Sequence, residues 1–281
     1  MAFDKNRCVT VLFGGSGPWG DTWEYDGTTW VQRCAECTPP MQRNCAAMAC
    51  DDSSRGGVVL FGGWTGSQLL NDVWKWDGAN WAQVVTTAGP SPRQAAIMAY
   101  DQQRDRFVLF GGITSPGSIT PSDETWELDM SVSPAIWTLK TPTTVPPGRE
   151  DAYMAYDPTL PGVVMFGGDS GDTCNAPPLA DTWVYDGTNW SEVSSTVHPS
   201  RRMFHGLTFD ETRNEIVLFG GSGHFANPEG YGDFSGETWA FGPRPAIPAV
   251  TEWGLLVMTL LIAVAGTLVC MRSARHRAQP T

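Results

Sequence analysis

The sequence predicts an all-β protein of about five repeated units, each made of four short strands, followed by one hydrophobic helix. An apolar segment that ends in two glycines recurs at 11–15, 59–63, 108–112, 164–168 and 217–221. A Trp-containing segment follows each glycine pair. Near the C-terminus, an uncharged stretch is long enough to form a membrane helix.

The repeat period is the strongest of these observations. The second glycines of successive pairs are 48, 49, 56 and 53 residues apart. A period of this length is typical of a solenoid, an array or a propeller. The predicted units span about residues 1–40, 41–92, 93–148, 149–201 and 202–243.

Each unit is interpreted as four antiparallel strands, a to d. Strand a follows an Arg, and strand b, which ends at the glycine pair, is apolar on both faces, as a central strand should be. Strand c carries the first Trp, and strand d begins at a second Trp. Asp-Gly at 26–27, 77–78 and 186–187 predicts a tight c–d hairpin. Such units indicate a β-propeller.

Residues 15–20, Gly-Ser-Gly-Pro-Trp-Gly, match the pattern G-x-G-x-x-G of dinucleotide-binding loops. That interpretation requires a helix to begin here, so that its N-terminal amides meet a pyrophosphate. The next residues, 21–27, are instead β-prone aromatics and an Asp-Gly turn. We therefore interpret these glycines as one variant of the repeat.

The order Arg, strand, Gly-Gly, Trp-x-Tyr-Asp, Trp over residues 1–243 resembles the kelch repeat family, including the galactose-oxidase-like central domain. The resemblance implies a kelch-type propeller but no particular activity, because kelch propellers include binding scaffolds, copper-radical oxidases and a sugar epimerase. Two units depart from the pattern. Trp137 lies 11 residues after Trp126 instead of 7, and no second Trp follows Trp239 within the last unit, which therefore lacks a predicted strand d.

The first unit is also predicted to be incomplete. In later units an Arg stands eight residues before the Asp that ends strand a, whereas Met1 stands three residues before Asp4. Residues 1–7 also lack the apolar core of a signal peptide. We expect the native product to carry, before Met1, a signal peptide, a strand d for the last unit and the rest of the first strand a.

Charge separates the body from the C-terminus. The formal net charge is −12, and residues 1–246 hold 15 basic and 29 acidic side chains. Such an acidic body would repel phosphate backbones, so we expect no nucleic-acid partner.

The C-terminal stretch 254–271 is predicted to cross a membrane. Its 18 uncharged residues would form a helix of about 27 Å, close to the ~30 Å hydrocarbon thickness. The tail 272–281 carries three Arg, which predicts a cytoplasmic tail and a propeller on the other side. A buried core helix is the alternative. A membrane span is favoured because the helix would be apolar on all sides and is followed directly by basic residues.

The linker 244–253 leads into this helix and contains a motif that begins at Ile247. Ile-Pro-Ala-Val-Thr-Glu-Trp-Gly, the hydrophobic segment and the Arg cluster together resemble the IPTL-type C-terminal sorting signal of Gram-negative-type bacteria. The residues that match the family motif are Ile247, Pro248, Glu252, Trp253 and Gly254. The resemblance implies export, then recognition by an exosortase-type enzyme, with a membrane-anchored or cell-surface product.

The cysteines of the first two units allow three interpretations. A zinc site needs four thiolates that converge on one point, whereas Cys45 and Cys50 lie five apart on a predicted strand, on opposite faces. In an exported protein, a disulfide from Cys34 or Cys37 to Cys45 is favoured. Free thiols and zinc are the alternatives.

No catalytic constellation is predicted. Within the repeats, His198, His205 and His224 are interpreted as ordinary polar residues, with metal binding as the alternative. Asp169 and Asp172 lie in a Gly-rich loop, where solvated turn residues are expected and a calcium site is the alternative. We predict no metal, no cofactor and no enzymatic activity.

The b–c loops are the predicted binding surface. They contain 7, 10, 13, 14 and 17 residues, whereas the other turns are short and nearly repeated. The predicted ligand-binding residues of these loops are Trp19, Trp64, His224, Phe225 and Tyr231. Alternatively, these side chains simply cover the face. The predicted function is a cell-surface module that binds a protein or glycan; the alternative is a secreted carbohydrate-active or oxidase-type enzyme that uses the same face.

Overall fold

The protein is a five-bladed β-propeller. The computed structural model describes residues 1–15, 20–34, 38, 40–160, 162–171, 177–223 and 234–242. Within these residues, nineteen strands form five antiparallel sheets, four of four strands and one of three. The prediction of an all-β repeat fold is confirmed for this part of the chain.

Each sheet is one blade, and its strands are paired in chain order. Blade 1 contains β1 (Ala2–Asp4), β2 (Val9–Phe13), β3 (Thr22–Tyr25) and β4 (Trp30–Arg33). Blade 2 contains β5 (Ala47–Cys50), β6 (Val58–Trp64), β7 (Leu69–Trp76) and β8 (Trp81–Val84). Blade 3 contains β9 (Ile97–Asp101), β10 (Arg106–Phe110), β11 (Thr125–Asp129) and β12 (Ile136–Lys140). Blade 4 contains β13 (Tyr153–Asp157), β14 (Gly162–Phe166), β15 (Thr182–Tyr185) and β16 (Trp190–Glu192). Blade 5 contains β17 (Gly206–Asp210), β18 (Glu215–Phe219) and β19 (Thr238–Phe241).

At the glycine pair, the backbone of the next blade lies against the end of strand b. Gly111 and Gly112 have φ of 75° and 86°, in the left-handed region that favours glycine. A Cβ on Gly111 would lie 2.2 Å from the carbonyl oxygen of Arg149, at the start of the next blade. In blades 2 to 4 the first glycine of the pair is therefore required by the packing of the next blade.

A buried Arg holds each of blades 2 to 5 together, as Arg149 shows in blade 4. Arg149 is 1 % exposed, and its Nη1 donates to the carbonyl oxygen of Gly167 at 2.9 Å. The guanidinium also donates twice to the carboxylate of Asp181, at 2.8 Å each, and the indole of Trp183 donates to the same carboxylate at 2.7 Å. Burial raises the pKa of Asp181, but these hydrogen bonds outweigh it and lower the pKa overall.

Neighbouring blades pack through aromatic pairs. The ring of Trp190, in strand d of blade 4, lies 5.3 Å from that of Phe110 in blade 3, edge to face. The indole N–H of Trp190 donates to Oγ1 of Thr125 in blade 3 at 2.9 Å. Trp81 makes the same contacts with blade 1: its ring lies 5.2 Å from that of Phe13, and its N–H donates to Thr22 at 2.8 Å.

The junction of blades 1 and 5 differs from the others. Blade 5 lacks a strand d among the described residues, as predicted, whereas blade 1 has all four strands, although β1 has only three residues. An ion pair between Lys5 and Glu211 links the a–b turns of these two blades. Trp30 is 45 % exposed, whereas Trp81 and Trp190, at the same position of their blades, are 5 % and 0 % exposed.

The described residues contain no helix with the length and apolarity that a bilayer span requires. The predicted membrane segment 254–271 and the sorting motif at 247–254 lie outside the described residues.

Candidate binding face

One residue in each of blades 2 to 5 forms an inner ring at the start of strand a. These residues follow the buried Arg by two positions and have φ between 51° and 57°: Cys45, Ala95, Asp151 and Phe204. Their backbones are linked from blade to blade. The amide of Ala95 donates to Cys45 (2.8 Å), that of Asp151 to Ala95 (3.3 Å), and that of Phe204 to Asp151 (3.1 Å).

The inner ring lies on the same propeller face as the b–c loops. The residue before each ring member pairs with a residue just after the glycine pair of strand b. These pairs are Asn44 with Trp64, Gln94 with Ile113, Glu150 with Asp169, and Met203 with Ser222. The ring and the loop bases are therefore one continuous surface.

The ring repeats a backbone conformation but not a side chain. A left-handed conformation costs a non-glycine residue about 1–3 kcal/mol, and such residues persist where the surroundings hold them and often where function requires them. In this ring the four side chains are a thiol, a methyl, a carboxylate and a phenyl group. Cys45 and Phe204 are exposed, Asp151 is half-buried and Ala95 is buried, so a rigid frame presents three different groups at equivalent places, which suits binding.

The ring is acidic at blade 4. Burial, followed by repulsion from Asp169, raises the pKa of Glu150 to about 7, and burial, followed by repulsion from Glu150 and Asp169, raises that of Asp151 to about 7. No positively charged side chain among the described residues contributes to either pKa shift. The carboxylate of Asp169 accepts a hydrogen bond from the amide of Gly171 at 3.1 Å.

His205 lies beside this surface but is buried. It is 1 % exposed, and its ring centroid lies 5.5 Å from the rings of both Tyr153 and Phe166. Burial, followed by repulsion from Arg202, lowers its pKa to about 3, so the ring is neutral at physiological pH. Neither ring nitrogen has a hydrogen-bond partner in the described part of the chain. The same part contains no group of three side chains that could hold a metal ion.

The structure corrects the position of Trp64, which was predicted in a b–c loop. Strand β6 continues past the glycine pair through a register shift, and Trp64 pairs with Leu69 and with Asn44. Trp64 is thus a half-buried strand residue at the base of the loop. The other predicted ligand-binding residues, Trp19, His224, Phe225 and Tyr231, lie outside the described residues.

The cysteines also differ from the favoured interpretation. Cys45 is a free thiol, so no disulfide joins it to Cys34 or Cys37. Cys34 is disulfide-bonded, and Cys37 lies outside the described residues. The physical reason is position, because Cys34 follows the outermost strand of blade 1 whereas Cys45 lies two residues before the innermost strand of blade 2. Burial, followed by the nearby charges of Asp151 and Glu150, raises the pKa of the Cys45 thiol to about 11, which keeps it protonated.

Sequence reasoning missed the inner ring. The signal was present in the two residues after each buried Arg, which are Asn-Cys, Gln-Ala, Glu-Asp and Met-Phe. An alignment of the repeats at this Arg would have shown that only the fourth unit carries two acids there. The left-handed backbone at the second of these positions could not be read from such different side chains.

Comparison with known proteins adds support for the fold. No protein-family model matches the chain. The chain is 29% identical over 190 residues to adagio-like protein 2 of Oryza sativa subsp. japonica. The aligned region covers 63% of this chain and 28% of that protein. The likeness thus concerns a minor part of the rice protein, and it supports the propeller fold without fixing an activity or a partner.

Proposed function

We propose that this protein is a kelch-type propeller that acts as a non-catalytic module and binds a protein or a glycan on its loop face. The observation that carries the proposal is the inner ring, where one backbone geometry presents a different side chain in each of four blades. The segments between the glycine pair and the first Trp, which vary from 7 to 17 residues, begin next to this ring. No observation on the described residues favours the enzyme alternative.

Charge narrows the class of ligand. Glu150 and Asp151 lie together at the ring without a paired cation among the described side chains. Their ionised forms would attract a basic group and repel an anionic one. A protein segment that carries Lys or Arg, or a neutral or amino-bearing glycan, therefore suits this face better than a sulfated or phosphorylated ligand.

The proposed location is the cell surface. The supporting features are those of the sequence: a motif at 247–254 similar to an IPTL-type sorting signal, an uncharged stretch at 254–271 and a basic tail at 272–281. In this account the protein is exported, processed by an exosortase-type enzyme and displayed with its propeller outside the cell.

A binding screen with an exposed carboxylate as the control position tests the loop-face proposal. The full-length protein in mild detergent is applied to arrays of glycans and of surface proteins, and each hit is titrated with two variants. Glu150→Gln combined with Asp151→Asn should weaken binding by about tenfold or more, since the negative charge that this pair carries at the interface centre is lost. Glu192→Gln, on the exposed outer strand of blade 4, should leave binding unchanged. Hits that bind all three proteins equally would overturn the assignment of the site.

A further inference from the structure

An Asp stands at the end of strand a in every blade, and in four blades it pairs with an Arg of the a–b turn. The pairs are Asp4 with Arg7, Asp51 with Arg55, Asp101 with Arg104, and Asp210 with Arg213. Blade 4 is the exception, because its turn reads Asp-Pro-Thr-Leu at 157–160. The turns of blades 1, 3, 4 and 5 are equally long, so Leu160 stands where the other three have their Arg.

The carboxylate of Asp157 is buried with one oxygen unpartnered. Asp157 is 1 % exposed, and its Oδ1 accepts hydrogen bonds from the amide and the hydroxyl of Thr159, at 2.8 and 2.6 Å. Its Oδ2 is buried and has no hydrogen-bond partner among the described residues. In blade 3, Oδ2 of Asp101 accepts a hydrogen bond from Nε of Arg104 at 2.8 Å. Because burying a carboxylate without a cation is costly, Asp157 lacks the partner that its counterparts have.

Blade 3 shows which group fits this place. The guanidinium of Arg104 lies 5.3 Å from the centre of the Tyr185 ring, at the end of strand c of blade 4. A Cβ on Gly187, in the c–d turn of blade 4, would lie 2.6 Å from Cζ of Arg104. Nη1 of Arg104 also donates to Glu127 on strand c of its own blade. A guanidinium thus fills the space between the Asp of one blade and the end of strand c of the next.

The equivalent space between blades 4 and 5 has apolar walls. By strand register, Phe241 of blade 5 holds the position of Tyr185, and Val184 holds that of Glu127. Leu160, Val184 and Phe241 are half-buried and pack against one core cluster. The place therefore combines one unpartnered carboxylate oxygen, an aromatic ring and two aliphatic side chains.

We propose that Asp157 binds the guanidinium group of a ligand, carried on an apolar stem, at the place that Arg104 occupies in blade 3. The group donates to Oδ2 and lies against Phe241, and a rotamer change of the half-buried Leu160 uncovers the carboxylate. A guanidinium suits this place better than an ammonium, because its planar fork donates in fixed directions and stacks on aromatic rings. An Arg side chain of a partner protein and a free alkylguanidine share this chemistry. The site lies on the a–b turn face, opposite the loop face, and does not depend on the function of that face.

Saturation-transfer NMR on the full-length protein in mild detergent tests the proposal with three probes. Propylguanidinium should bind saturably with a dissociation constant on the order of 1 mM, as for a small ligand with one charge-assisted contact. Butylammonium, a cation of similar size without the planar fork, should bind about tenfold more weakly. The third probe, acetyl-Ala-Arg-Ala-amide, distinguishes the sources of the group. If it binds at least as tightly as propylguanidinium, the ligand is an Arg of a protein; binding of propylguanidinium alone assigns a small molecule.

Two substitutions at Leu160 test the place of binding. Leu160→Arg supplies from within the chain the side chain that blades 1, 3 and 5 have here, so it should abolish propylguanidinium binding. Leu160→Ala uncovers Oδ2 of Asp157 and should bind this probe at least as tightly as the unaltered protein. Asp157→Asn keeps an acceptor for Thr159 but removes the charge, and it should weaken binding by about tenfold or more. Glu192→Gln, on the outer strand of blade 4, is the control and should bind unchanged. Far-ultraviolet circular dichroism checks that each variant is folded.

Three outcomes would overturn the proposal. The first is the absence of saturable binding by the unaltered protein. The second is equal binding by the unaltered protein, Asp157→Asn and Leu160→Arg. The third is binding that appears only in Arg244→Gln, which would assign the place to an Arg of the chain itself. Asp151→Asn should leave propylguanidinium binding intact, so failure here is distinguishable from failure of the loop-face proposal.

Discussion

Replacing Trp190 with Ala tests how the blades are held together. Trp190 is 0 % exposed, its ring lies 5.3 Å from that of Phe110, and its indole donates to Thr125 at 2.9 Å. Burial of about 200 Å² at about 25 cal/mol per Å² corresponds to about 5 kcal/mol, an upper estimate because the unfolded chain retains some burial. The orphaned Thr125 hydroxyl adds about 1 kcal/mol. We expect a loss of about 4–6 kcal/mol in the free energy of unfolding.

Trp30 is the matched control for this substitution. It occupies the same position in blade 1, but it is 45 % exposed because no blade covers it in the same way. Trp30→Ala should therefore lose about 2–3 kcal/mol, roughly half of the area contribution. Urea titration followed by far-ultraviolet circular dichroism compares the two variants, since each lacks one Trp. Equal shifts of the unfolding midpoint would refute the packing argument.

Three further predictions concern single residues. Arg149→Met should cost about 3–5 kcal/mol, because it leaves a partly buried carboxylate without its partner, whereas the exposed Arg201→Met should cost less than about 0.5 kcal/mol; both are measured by urea titration. Gly111→Ala should be far more destabilising than Gly117→Ala by thermal melting, because both glycines have positive φ but only the first has a backbone oxygen 2.2 Å from the added Cβ. The pKa of Asp151 is raised to about 7 in the folded state. The folded protein therefore binds this proton more tightly than the unfolded chain, and stability should fall as the pH rises from about 4 through 7. In Asp151→Asn, this part of the decline in the unfolding midpoint between pH 5 and pH 8 should disappear.

The repeat made the fold predictable from sequence. Each unit had to place an apolar segment, a glycine pair and a Trp in fixed order. The structure shows that the next blade approaches Gly62, Gly111 and Gly167 too closely for a side chain. That the described residues of the last unit include no strand d was also predictable, because no second Trp follows Trp239 within that unit. Because these features recur from unit to unit, the units of a single sequence can be compared with one another.

The candidate site was less predictable because it depends on what does not repeat. Asp151 and Phe204 share a left-handed backbone with Cys45, yet nothing in their side chains indicates it. Trp64 was placed in a loop because the glycine pair ends strand b in the other blades, whereas in blade 2 a register shift lets the strand continue. The pKa shifts at Glu150 and Asp151 arise from burial and mutual repulsion, which only the folded arrangement produces.

Hydrogen–deuterium exchange of the full-length protein, with and without the tightest ligand from the binding screen, is the most direct test of the loop-face account. The account predicts slower exchange at the inner ring and its neighbours, residues 44–46, 150–152 and 203–205. The c–d turns at 26–29, 77–80 and 186–189, on the opposite face, should exchange at the same rate with and without ligand. Protection confined to these turns, with an unchanged inner ring, would contradict the account.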